Sequence, residues 1–142
     1  MNNYKIKVHQ LFSILAVIAI ISGIFLPAYS IPFMGNQNFY QNQHYVSLFI
    51  LGNAILYLVF SFTSIKGILW IMASLMLGGL SYAYYDFQNT MSQFDQIMGE
   101  GPASIFIQKM RDSFKESVEF KIGLFILIFG ILLSYVAAAL KK

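Results

Sequence analysis

The side chains of this sequence that could carry out chemistry are few and far apart. The two histidines, His9 and His44, are distant from each other, and neither has a carboxylate nearby at the spacing of a metal site. The chain has no cysteine, which excludes thiol chemistry and disulfides. Serine is plentiful, but no Gly-x-Ser-x-Gly motif is followed by an acid and a histidine. We therefore predict a protein that is not an enzyme and that holds neither a metal nor a cofactor.

The carboxylates are confined to one stretch of the chain. Residues 86–121 contain all six acidic residues and four of the nine basic ones. Acids and bases that alternate along a helix are typical of a solvated face. Within this stretch, Gly99, Glu100 and Gly101 lack the strand–loop–helix setting of a nucleotide-binding fingerprint, so we interpret them as part of a turn.

The composition indicates that lipid surrounds most of the chain. Hydrophobic residues make up 58% and charged residues 11% of the sequence, against about 45–50% and about 25% in soluble proteins. The net charge of +3 forms no basic stripe, so we expect no nucleic-acid partner. Four runs are long enough to cross a bilayer, which takes about 20 residues. We predict an all-α integral membrane four-helix bundle in a single domain, with spans at about 8–28, 46–64, 67–85 and 122–140.

The connections between the spans differ in character. Residues 30–45 are rich in Asn, Gln and aromatic residues without periodicity, and we predict an outer loop whose rings rest at the membrane interface. The short turn at Lys66 makes the second and third spans antiparallel neighbours. At the amino terminus, Lys5 and Lys7 before an apolar run, with Ala28 and Ser30 after it, also resemble a cleaved secretory signal. The apolar run is long for a signal, so we favour its retention as the first span.

Apolar stripes on both sides of a Gly-Glu-Gly-Pro turn predict a helical hairpin outside the membrane, formed by extensions of the third and fourth spans. The first stripe ends in Phe94 and Met98, and the second contains Ile107, Met110 and Phe114. These five residues are our candidate interaction surface. The second helix has no breaker before the fourth span, so we expect it to continue into that span. The alternative is that each amphipathic segment lies flat on the lipid surface.

Small residues at helical spacing predict close helix packing, because helices in lipid associate through close backbone approach. In the third span Gly67, Ser74 and Ser81 repeat every seven residues, with Gly78 and Gly79 nearby. Such tracts also suit an oligomer or partner contact. Asn53, at mid-span depth, is expected to hydrogen-bond between helices. The candidate packing residues are Ala19, Gly23, Asn53, Gly130, Ser134 and Ala138.

The basic residues suggest an orientation. Lys5, Lys7, Lys66, Lys141 and Lys142 fall on one side of a four-span topology, in short segments beside span ends, and the other four basic residues fall on the opposite side. The positive-inside bias then places both termini in the cytoplasm, and we expect a bacterial cytoplasmic membrane.

By elimination, the sequence suggests a small tetraspan protein that acts by protein contact, as an accessory or scaffold subunit of a membrane complex. The expected partners are membrane lipids and either another membrane protein or a second copy of the chain. Two alternatives stay open: an immunity protein against a membrane-active toxin, and a carrier or channel for a neutral or lipidic molecule.

Overall fold

Over the residues that the structure describes, the fold is mostly helical, with four long helices and a small sheet at one end. It is described by a computed structural model over residues 5–31, 35–98 and 119–141. In chain order the elements are α1 (Val8–Phe25), β1 (Pro27–Ile31), β2 (Gly35–Asn38), α2 (Phe39–Asn42), α3 (His44–Ser61), α4 (Gly67–Met98), β3 (Glu119–Phe120) and α5 (Ile122–Leu140).

In the described part of the chain, four helices are long and apolar enough to cross a membrane, which confirms that part of the sequence prediction. Large apolar side chains stand exposed on all four, among them Ile18 of α1, Ile55 of α3, Ile71 of α4 and Phe129 of α5. In water such surfaces would be costly, whereas hydrocarbon solvates them. The segments long and apolar enough to span are Val8–Phe25, His44–Ser61, Gly67–Thr90 and Ile122–Leu140.

Among the described residues, each long helix makes its most extensive contacts with two others. The most extensive contact joins α1 to α5, and further contacts join α3 to α4, α1 to α3 and α4 to α5. Buried side chains from all four helices form one core, including Ile20, Ile50, Met76 and Leu127. Neighbouring helices run in opposite directions, so one end of the molecule holds the start of α1 and α4 and the end of α3 and α5. We call it the lysine end, and the opposite end the sheet end.

A three-stranded antiparallel sheet in the order β2-β1-β3 occupies the sheet end. The prediction of a loop over residues 30–45 is therefore wrong in part, because β2 and α2 lie within this segment. Gly35 adopts φ 74°, a left-handed conformation that glycine accepts readily, at the start of β2. The pairing of Tyr29 with Phe120 joins residues remote in sequence, so local periodicity could not reveal it.

Two helix boundaries also differ from the prediction. The first span ends at Phe25 and not near residue 28, because the residue before a proline is driven out of the helical region; Leu26, which precedes Pro27, has ψ 155°. No helix continues into α5, since β3 precedes it and Lys121 is extended. The expected continuation is wrong at these residues.

The predicted hairpin is described on one side only. Helix α4 continues to Met98, so the backbone of Phe94 and Met98 is helical. Ile107, Met110 and Phe114 lie outside the described residues.

Candidate functional site

Two of the predicted packing residues, Gly23 and Gly130, lie where α1 and α5 touch. A Cβ atom built on Gly23 would be 2.5 Å from the Leu127 amide nitrogen, and one on Gly130 would be 2.8 Å from the Ile20 nitrogen. Both glycines thus permit an approach that any side chain would prevent. Ser134 and Ala138 are buried along α5, whereas Ala19 of α1 is half-buried.

Among the described residues, the hydrogen bonds that join the long helices do not include the one predicted for Asn53. Asn53 is buried, but its amide donates to the Phe49 carbonyl oxygen within its own helix, at 2.8 Å. The Tyr57 hydroxyl instead joins α3 to α5 by donating to the Ser134 carbonyl oxygen at 2.6 Å. The Ser61 hydroxyl donates to that of Ser13 at 2.8 Å, which joins α3 to α1. The sequence shows hydroxyl-bearing residues within the apolar spans, and these could have been predicted to form hydrogen bonds between helices. It does not show which of them face each other.

Lys141 closes the lysine end of the molecule. Its side chain is only 4% exposed, and its Nζ donates to the Phe60 carbonyl oxygen at 3.0 Å. The same carbonyl oxygen accepts from the Thr63 amide and hydroxyl, so Lys141 adds a further donor at the end of α3, where carbonyls lack intrahelical partners. Burial, and secondarily the positive charge of Lys7, lower the pKa of the Lys141 amine.

The outward side of α4 carries a glycine, Gly78, that no other described part of the chain covers. A Cβ atom built on Gly78 meets nothing within 4 Å, in contrast to Gly23 and Gly130. Gly78 lines a groove of about 400 Å³ between α4 and α3, which we call the α4 groove. It is lined by Tyr45, Val46, Phe49, Ser74, Leu75, Gly78, Gly79 and Tyr82.

A second cavity, of about 330 Å³, lies at the sheet end and is here called the sheet-end cavity. Side chains from β1, from α2 and the following residue, and from α4 and α5 surround it. Most of them are apolar, and a few amide and hydroxyl groups stand among them. The lining residues are Tyr29, Phe39, Asn42, Gln43, Leu80, Ser81, Ala83, Tyr84, Phe87, Leu124 and Ile128.

Tyr29 is a buried polar residue in the wall of this cavity. It is 7% exposed, its ring centroid is 6.2 Å from that of Phe87, and its hydroxyl has no hydrogen-bond partner in the described part of the chain. Burial raises the pKa of Tyr29 to about 12. Beside it, the Gln43 side-chain amide donates to a carboxylate oxygen of Asp86 at 3.2 Å.

No family model, curated protein or solved structure matches this chain. Among residues 5–31, 35–98 and 119–141, no group of three or more His, Asp or Glu side chains lies close enough to hold a metal ion. The α4 groove and the sheet-end cavity are the features of the described residues that point to a function.

The raised pKa of Tyr29 predicts a loss of stability in alkali. An unfolded tyrosine ionises near pH 10, so between about pH 10 and pH 12 the unfolded chain releases a proton that the folded chain keeps. The free energy of unfolding then falls as the pH rises through this window. In detergent, we expect the native chain to lose more stability than Tyr29→Phe does over that range, since all other titrating groups are shared. Equal pH dependence in denaturant titrations would contradict the burial of the hydroxyl.

Proposed function

We propose that this chain is a non-enzymatic integral membrane protein that acts by contact with another membrane-embedded helix, as an accessory or scaffold subunit. The observation that carries the proposal is the uncovered Gly78 on α4. A glycine within a helix is less favourable than alanine by about 1 kcal/mol. In membrane helices this loss is commonly offset by close approach of a neighbour, as it is at Gly23 and Gly130. Gly52 of α3 is equally open but does not line the α4 groove, whereas Gly78 does, so we take Gly78 as the position where a helix of another chain packs.

The arrangement we propose is a four-helix bundle with both termini in the cytoplasm of a bacterium. Pairwise contacts of α1 with α3 and α5, and of α4 with the same two helices, support a closed bundle. The lysine end brings together Lys7, Lys66 and Lys141, each beside the end of a span. Basic residues in such positions favour the cytoplasmic side.

We also propose that α4 projects beyond the membrane at the sheet end. Its 32 residues correspond to about 48 Å at 1.5 Å per residue, whereas the hydrocarbon layer is about 30 Å thick. The excess supports an extramembrane arm that carries Phe94 and Met98 and adds a second contact surface.

Photocrosslinking in the native membrane tests the contact. We expect benzoylphenylalanine at Ile71, on the same outward side of α4 as Gly78, to crosslink to protein, and the same probe at Ile55 of α3 to react mainly with lipid. Both positions are more than half exposed. Adding Gly78→Leu should lower the protein crosslink at least about fivefold, because overpacking an interface costs about 1–3 kcal/mol.

The matched control is Gly52→Leu, which places the same side chain on an equally open glycine of α3. It should leave the crosslink at Ile71 unchanged. A crosslinked homodimer would identify the partner as a second copy, and a product of another mass would identify a different membrane protein. Absence of any protein crosslink at Ile71 would contradict the proposed function.

A further inference from the structure

We propose that the sheet-end cavity binds one hydrocarbon chain of an uncharged membrane lipid, with the polar head of the lipid at Asn42 and Gln43. This site is separate from the α4 groove, and the inference does not depend on the proposed contact function.

A ring contact and a hydrogen bond join α4 to α5 toward the lysine end. There, the Tyr135 ring lies 5.7 Å from that of Trp70, and the Tyr135 hydroxyl donates to the Ser74 hydroxyl at 3.2 Å. Toward the sheet end, side chains of the two helices line the cavity instead. Its walls reach the lipid-facing surface, since Tyr84 is 63% and Ile128 is 37% exposed. A molecule dissolved in the bilayer can therefore enter between α4 and α5.

The depth of the cavity matches the boundary between headgroups and acyl chains. Leu124 and Ile128 lie about 3 and 9 Å from the first residue of α5, at 1.5 Å per residue. Asn42 and Gln43 lie at the junction of α2 and α3, directly before the first residue of the second span. An amphiphile aligned with the bilayer would thus place its head at these amides and its chain against Leu80, Leu124 and Ile128.

The size of the cavity favours a lipid chain over a protein segment. At about 330 Å³ it falls at the lower end of the range of small-molecule pockets, about 300–1,000 Å³, which are typically apolar with a few polar groups. A helix with its side chains is about 10 Å across and needs more room.

The polar groups indicate an uncharged head. The described lining includes no lysine or arginine, and the Asp86 carboxylate, which Gln43 binds, lies beside it. A phosphate would be repelled by that carboxylate, and none of the described lining residues offers it a positive charge. Hydroxyl and ester groups suit the amides. The Tyr29 hydroxyl, buried and without a partner among the described residues, supplies a further donor.

The test is photolabelling of the full chain in phosphatidylcholine liposomes. Two tracers are compared at equal concentration, a diacylglycerol and a phosphatidylglycerol, each with a diazirine on one acyl chain. We expect the diacylglycerol to label peptides that contain residues 80–87 and 124–128, at least about fivefold more than the anionic tracer does. Equal labelling by both tracers, or label spread over all four spans, would overturn the proposal.

Variants locate the binding within the cavity. Ile128→Trp fills it and should lower diacylglycerol labelling at least about fivefold, whereas Leu132→Trp, one turn further along α5 and outside the lining, should not. Tyr29→Phe should lower labelling about two- to tenfold, because it removes one hydrogen bond to the lipid head. Circular dichroism checks that each variant is folded, and Ser81→Phe replaces Ile128→Trp if the latter is not. Labelling that no cavity-filling variant reduces would overturn the site, while Gly78→Leu should leave it unchanged, which separates this result from the contact experiment.

Discussion

Replacing Gly130 with leucine should lower the free energy of unfolding by about 3 kcal/mol, at the upper end of the range for overpacked sites. The new Cβ would lie 2.8 Å from the Ile20 nitrogen and 3.0 Å from the Ala16 carbonyl oxygen. Because these are backbone atoms of α1, no rotamer change relieves the overlap, and the two helices must move apart. The α1–α5 contact is the most extensive in the molecule, so its separation should weaken the whole fold.

The experiment is SDS-induced unfolding in mild detergent, followed by circular dichroism. Gly52→Leu is the matched control, because a Cβ built there meets nothing within 4 Å. We expect the control to stay within about 0.5 kcal/mol of the native chain, as surface substitutions usually do. If both variants unfold at the same SDS fraction, the close α1–α5 approach is wrong.

The four spans were predictable from sequence because the requirement that lipid imposes is local. Every residue of a span must be compatible with hydrocarbon, and an uninterrupted run such as residues 122–140 satisfies this without reference to the rest of the chain. The same reasoning gives the amino acid types of the packing sites. It does not give the partners, since Gly23, Gly78 and Gly130 are identical in sequence terms and differ only in what lies opposite them.

The sheet could not be predicted from the sequence because its strands are too short to show an alternating apolar pattern. β3 is two residues long, and it is held by its pairing with β1, to which Lys121 adds a bond from its amide nitrogen to the Ala28 carbonyl oxygen at 2.7 Å. Pairing between segments distant in sequence depends on the fold that brings them together. The sheet-end cavity was missed for the same reason, since β1, α2, α4 and α5 each contribute only part of its wall.

Replacing Tyr57 with alanine should lower the free energy of unfolding by about 3–5 kcal/mol, as removal of a large buried ring does elsewhere. Tyr57 is fully buried between spans, and its hydroxyl donates to the Ser134 carbonyl oxygen. Tyr57→Phe separates the two contributions, because it keeps the ring and removes only the hydrogen bond. We expect a loss of about 0.6–1.7 kcal/mol for it, the range of interhelical hydrogen bonds in membranes.

The control for Tyr57→Ala is Tyr85→Ala, which truncates a tyrosine of α4 that is mostly exposed. It should change the free energy of unfolding by no more than about 0.5 kcal/mol. In SDS unfolding we expect the loss of free energy to be largest for Tyr57→Ala, smaller for Tyr57→Phe and smallest for Tyr85→Ala. This order follows if burial of the ring contributes more than its hydrogen bond. If Tyr57→Phe were as damaging as Tyr57→Ala, the hydroxyl would outweigh the ring, and the link between α3 and α5 would be mainly polar. If all three variants were alike, Tyr57 would face lipid, and the packing of α3 against α5 would have to be abandoned.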